Sequence, residues 1–313
     1  MIIILHFDPI SQDSFVRYPL LYLPVPLFFV ISSYLFFRKD ESKRNPVRFV
    51  KRNLKLYLVY FCLFLPYYLK EYIGLFDEGL WKGLLGFATK FFLGSTFRNS
   101  WFIISLVIGV LVVHYLSKLN NWLPILVGTL TYLLCMFETS FSNISQGTFI
   151  QQFLDVYPGH LVYGFPLATT WCALGYYSAV HKEKMTKVGG AVLLILTVLL
   201  YVEFFGYKTL GFSEHPVYCI AMIPLCYSIF LLIRDSDIHL SNPQWFRKSS
   251  TIIFCTHGVI GSLIAALITK LFGDATLFPL TTLIFLLLIL TETLLVFIIL
   301  KQEKRWKWLH NLY

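Results

Sequence analysis

The chain has 313 residues, of which 57% are hydrophobic, 18% aromatic and only 14% charged. That is more apolar side chain than a water-soluble core can hide, so lipid must be the solvent for much of the surface. The apolar runs are long and continuous rather than short and alternating, which favours helices over a β-barrel and predicts an all-α, polytopic integral membrane protein. The excess of 26 Lys and Arg over 17 Asp and Glu, a net charge of +9, sits in short loops between apolar runs. It reports topology and not a nucleic-acid partner.

In chain order, residues 1–6 read as the outer end of a helix cut short at Met1, with neither the length nor the basic start of a signal peptide. At about 20 mostly apolar residues per span, full helices are expected over 20–37, 54–70, 101–117, 122–137, 160–180, 188–206, 216–233, 249–270 and 276–300. With the truncated first helix they make a bundle of about ten transmembrane helices. Residues 79–97 mix apolar and basic positions at helical spacing and are expected along an interface. No loop is long enough to fold alone, so a single domain over 1–313 is expected. The six cysteines, Cys62, Cys135, Cys172, Cys219, Cys226 and Cys255, lie in apolar runs without a CxxC pair, and read as small buried hydrophobes.

The loops orient the bundle. Arg38, Lys39, Lys43, Arg44, Arg48, Lys51, Arg52 and Lys55 follow the first full span, and the positive-inside bias holds such a run in the cytoplasm. Alternate loops agree: Lys118, then Lys182, Lys184 and Lys187, then Arg234, Arg247 and Lys248, then a C-terminal tail with Lys301, Lys304, Arg305 and Lys307. The loop from Glu138 to Pro158 has no Lys or Arg. It is expected outside, as a plain connection or as a surface for a polar substrate.

Ionisable side chains within spans are costly unless paired or facing a cavity. His6 lies beside a loop carrying Asp8 and Asp13; with an ordinary imidazole pKa of about 6.5 it suits a general base, or serves as an interfacial side chain. His257 follows Ser250 by seven residues, two helical turns, so the two share a face that lines a polar cavity or makes interhelical hydrogen bonds. Glu292 is the acid deep in the final span, suited to orient a base, hold a cation or bond a neighbouring helix. His114 and Glu203 lie nearer span ends, where water makes them cheap.

Several of these residues fall into one order. His6 precedes VPLFFVISSYLFF (Val25 to Phe37), which is followed by RFVKRNLKLYLVY (Arg48 to Tyr60), NSWFIISL (Asn99 to Leu106) and STIIFCTHG (Ser250 to Gly258). This series resembles the membrane acyltransferase 3 family over nearly the whole chain. The chain departs from the family pattern at Ser33, where glycine is usual, and at Lys55 and Leu58, where arginine and proline are usual. The basic residue expected ten positions before the catalytic histidine would precede Met1.

The resemblance implies transfer of an acetyl group from acetyl-CoA to a hydroxyl of an extracytoplasmic polysaccharide or glycolipid. His6 and His257 are the implied catalytic residues, and Arg48, Lys51, Arg52 and Lys55 the cations for the donor phosphates. The acyl-CoA is a co-substrate, the other partners are a glycan acceptor and the lipid bilayer, and no metal is expected. The implied location is the bacterial inner membrane, with the basic loops and C-terminus cytoplasmic. The competing reading is a non-catalytic flippase or permease for lipid-linked sugars, or a degenerate acyltransferase. The acceptor's identity and the oligomeric state are open at this point.

Overall fold

The computed structural model describes residues 18–93, 96–157, 159–181, 189–236, 241–273 and 278–313, and His6 lies outside them. The described chain is all-helical. A short turn, α1 (Tyr18–Leu21), leads into α2 (Pro24–Phe37); then come α3 (Pro46–Gly74), α4 (Leu80–Phe92), α5 (Trp101–Leu119) and α6 (Leu123–Glu138). Two short helices, α7 (Ser142–Ser145) and α8 (Phe149–Val156), precede α9 (Phe165–Val180), α10 (Gly190–Thr209), α11 (Met222–Arg234), α12 (Pro243–Phe272) and α13 (Phe278–Gln302). Every expected span is matched by one of these helices. Five segments are both long and apolar enough to cross a membrane: Pro19–Phe37, Trp101–Leu119, Gly190–Thr209, Pro243–Phe272 and Leu280–Gln302. The count of about ten spans is therefore not reached by length and apolarity among the described residues.

The boundaries move for local reasons. α3 begins at Pro46, eight residues before the apolar window, because proline suits the first helical position and the Arg48 amide donates to Asn45 Oδ1 at 2.8 Å. α12 likewise starts early, at Pro243, with the Trp245 amide donating to Asn242 Oδ1 at 3.1 Å. Charged first turns are invisible to an apolarity window but fold as helix. Over the stretch expected along an interface a helix does form, in a shorter version: α4 stops at Phe92, and the chain from Thr96 to Ser100 makes turns instead.

The residues cluster into two compact units. The first contains the described residues of Lys51–Trp101 and His239–Tyr313. Here α3 presents Tyr57 and Tyr60 inward, and α4 lies on it through Phe87 and Phe91, whose rings meet Phe61 and Tyr72. The Tyr57 hydroxyl donates to the Phe91 carbonyl at 3.0 Å, and Tyr72 bonds the Thr96 carbonyl. α12 and α13 complete this unit.

The second unit contains the described residues of Tyr18–Val50 and Phe102–Ile238 and is centred on α9. Small residues on α9 let neighbouring backbones approach closely. A β-carbon on Gly175 would lie 2.0 Å from Ser33 Oγ and 2.4 Å from the Val30 carbonyl on α2. Gly109 of α5 and Gly128 of α6 are pressed against Ala168 and Ala173 in the same way. Ser33, fully buried, turns its hydroxyl back to the Val30 carbonyl at 3.1 Å, which is how a hydroxyl fits where the resemblance has glycine.

Five of the six cysteines are buried, as expected, but Cys62 is exposed on the outer side of α3. His114 is buried beside the rings of Phe36 and Phe37, and Glu203 accepts the Ala221 amide at 2.8 Å at the approach to α11.

At the end of α11, Arg234 grips Asp235 through two bonds of 2.6 and 2.7 Å while donating to Ser178 Oγ at 3.0 Å. The guanidinium holds the Asp235 carboxyl below its ordinary value. A depressed carboxyl adds stability above its unfolded pKa of about 3.9 and loses it as pH falls through the folded value. Asp235→Asn should therefore melt below wild type near neutral pH, and the two melting curves should converge below about pH 4.

Candidate functional site

A convergence of polar groups in the first unit is built around His257, in the middle of α12 and fully buried. Its Nδ1 lies 2.8 Å from the Ile253 carbonyl, which can only accept, so Nδ1 carries the proton. Nε2 is left as the acceptor, and Asn99 Nδ2 sits 3.0 Å from it and donates. Asn99 has φ +71°, the one non-glycine residue in the left-handed region among those described. Asparagine tolerates that region better than most residues.

Gly258 makes the contact possible: a β-carbon there would stand 2.9 Å from Asn99 Nδ2 and 3.0 Å from Arg98 Cβ and Cγ. Arg98 then spans the next turn, its Nη1 donating to Ser262 Oγ at 2.7 Å and its amide to the Tyr68 hydroxyl at 3.0 Å. A buried imidazole thus fixes a knuckle carrying one amide and one exposed guanidinium. Both groups donate hydrogen bonds, so the knuckle is suited to an oxygen that gathers negative charge.

Ser250 and His257, expected on one face lining a polar cavity or bonding a neighbouring helix, have different surroundings. The two do share a nominal face, but Ser250 is exposed and its hydroxyl donates to the Arg247 carbonyl of its own helix at 3.0 Å. Inside a helix, the carbonyl of the preceding turn is an acceptor within easy reach of a serine hydroxyl. Glu292, almost fully buried, instead finds Thr256, whose hydroxyl lies 3.0 and 2.8 Å from the two carboxyl oxygens and joins α12 to α13. This is the interhelical bond among the roles foreseen for Glu292.

The cations of α3 lie on a helix whose other side is buried. Arg48, Lys51, Arg52 and Lys55 are all exposed, and the spacing i, i+3, i+4, i+7 sets them on one face of the helix. Phe49, Asn53, Tyr57 and Tyr60 occupy the opposite, buried side. The stripe is electropositive and linear, suited to a string of phosphates.

In the second unit, the stretch after Glu138 is not a plain loop, since it contains α7 and α8. Glu138 holds His160 at 2.8 Å and accepts the Val162 amide at 3.1 Å. Ser142 and Asn143 tie the stretch to Ser213, Gly211 and Phe212. A cleft lined by Glu138, Ser145, Gln151, Asp155 and His160 opens here.

Asn99 and Arg98 were the residues that sequence reasoning passed over. Asn99 entered only as the first residue of the NSWFIISL stretch, with no role attached to it, and Arg98 did not enter at all.

Compared with known proteins, the chain matches the acyltransferase 3 family model, described as an acyltransferase domain, over residues 1–301. No curated protein and no solved structure matches it significantly.

Proposed function

We propose a reaction from one established premise: the chain belongs to the acyltransferase 3 family, and is accordingly an integral membrane acyltransferase. The reading is that it transfers acetyl from acetyl-CoA to a hydroxyl of an extracytoplasmic polysaccharide or glycolipid. The observation that carries it is the family match over nearly the whole chain, and the α3 stripe and the His257 knuckle give it a physical form. The protein lies in the bacterial inner membrane, with the basic loops and C-terminus in the cytoplasm.

Acetyl-CoA approaches from the cytoplasm and lays its phosphates along Arg48, Lys51, Arg52 and Lys55. Its thioester enters the helix bundle. His6 takes the proton from the acceptor hydroxyl, whose oxygen attacks the thioester carbonyl. The tetrahedral oxygen is met by donors of the knuckle, Asn99 and Arg98, which His257 holds in place. The carbon–sulfur bond then breaks, the ester leaves on the glycan, and the CoA sulfur takes a proton.

The test is transfer of labelled acetyl from acetyl-CoA to polysaccharide in membranes containing the protein. Wild type should form alkali-labile, labelled ester; membranes that form none with any acyl-CoA would remove the reading. Lys51→Gln combined with Arg52→Gln should raise the KM for acetyl-CoA about ten-fold with little change in kcat, because charged hydrogen bonds to the donor's remote phosphates are lost while the reacting centre is untouched.

A further inference from the structure

The family match ends at residue 301, yet the chain goes on and folds back onto the first unit. Glu303 forms an ion pair with Lys248 of α12 at 2.7 Å. Tyr313 closes the same knot: its hydroxyl donates to Glu303 Oε2 at 2.5 Å, His310 Nδ1 stands 2.6 Å from that hydroxyl, and the Lys248 ammonium lies 4.6 Å from the centre of its ring. Between them runs the short helical turn Lys307–Leu312, with Leu309 and Leu312 buried. The Leu312 carbonyl accepts the Tyr60 hydroxyl of α3 at 3.0 Å, a buried bond between residues far apart in sequence.

Tyr60 stands five residues beyond Lys55, about 7 Å along α3 from the end of the cationic stripe. Lys248 lies in the opening turns of α12, at the basic end of that helix. The segment therefore covers the buried side of α3, opposite the stripe and a little over one turn beyond its last cation. On the donor path proposed above, this is where a chain held by its phosphates at Arg52 and Lys55 must turn inward.

We infer that Glu303–Tyr313 is a strap across the donor entry of the first unit, which acyl-CoA displaces as it binds. The clasp is chemically matched to its key. Lys248 is held by a carboxylate, and a phosphate competes for an ammonium on equal terms. Among the described contacts, the strap is held by the buried Leu309 and Leu312 and the polar bonds just named, which break without disturbing the helices beneath. A closed strap lowers apparent donor affinity by the fraction of molecules that are open.

The inference rests on the donor site proposed above, so its test reads binding and motion instead of turnover. Radiolabelled CoA is bound to the purified full-length protein in detergent, for wild type, Tyr60→Phe and Glu303→Gln. Each variant removes a single bond donor or charge, and thermal melting verifies that it remains folded. Both should bind CoA about ten-fold more tightly than wild type, and added CoA should speed amide exchange over 307–312 in the wild type. Unchanged or weaker binding in the variants, or slower exchange of the segment with CoA, would overturn the strap. Tighter binding in the variants alongside no acetyl transfer by the wild type would leave the strap standing and remove the reaction.

Discussion

Alanine at His6 should lower acetyl transfer by about two to four orders of magnitude, the usual contribution of a positioned general base. Alanine at His257 should reduce it comparably, but for another reason. The buried imidazole donates a hydrogen bond from Nδ1 to the Ile253 carbonyl and accepts one at Nε2 from Asn99, so in the reaction proposed above the ring acts through the knuckle it holds. Glutamine at 257 can place an oxygen near the Nε2 position, and should keep Asn99 partnered. His257→Gln should therefore recover a large part of the activity that His257→Ala loses. The acid limb of its kcat pH profile, which reports the base, should stay where it is in wild type. His6→Gln should recover nothing. If His257→Gln is as inactive as His257→Ala, or shifts that limb, His257 is itself a proton-transfer group and the positioning role is wrong.

Gly175→Ala should be the most damaging single-methyl change in the second unit. The added carbon would fall 2.0 Å from Ser33 Oγ, 2.4 Å from the Val30 carbonyl and 2.9 Å from the Tyr34 amide nitrogen. The first of these can rotate away, but the other two are backbone of α2, so the helices must separate. Overpacking of this kind costs typically about 1–3 kcal/mol, and more where backbone has to move. In a heated size-exclusion assay of detergent-solubilised protein, the variant should lose its monodisperse peak well below wild type. Ser33→Gly together with Gly175→Ala should recover part of the loss, by removing the hydroxyl but not the Val30 carbonyl. A Gly175→Ala protein that melts within a degree or so of wild type would show that α2 and α9 are not packed this closely.

Much of this was open to reading from the sequence. Apolar runs near helical length gave every span its helix, because in lipid a segment has few other ways to satisfy its backbone. What an apolarity window cannot register is polar helix, and so the first turns of α3 and α12, capped by Asn45 and Asn242, were missed. Ser250 and His257 share a helical face on paper, but how far a bundle extends along that face is settled by neighbouring elements. The Tyr60–Leu312 bond joins residues from opposite ends of the chain, and nothing local announces it. Asn99 is the clearest case: its left-handed backbone and its bond to His257 depend on Gly258 giving way, a fact about two segments at once.

The unexpected exposure of Cys62 has a practical side. The other five thiols are buried, so the unaltered chain carries one addressable sulfur, two residues from Tyr60 on the helix that bears the cationic stripe. A membrane-permeant fluorescent or spin label attached there would report on that helix without any engineered cysteine. The protein thus brings its own probe position to within a turn of the bond that fastens its C-terminal segment.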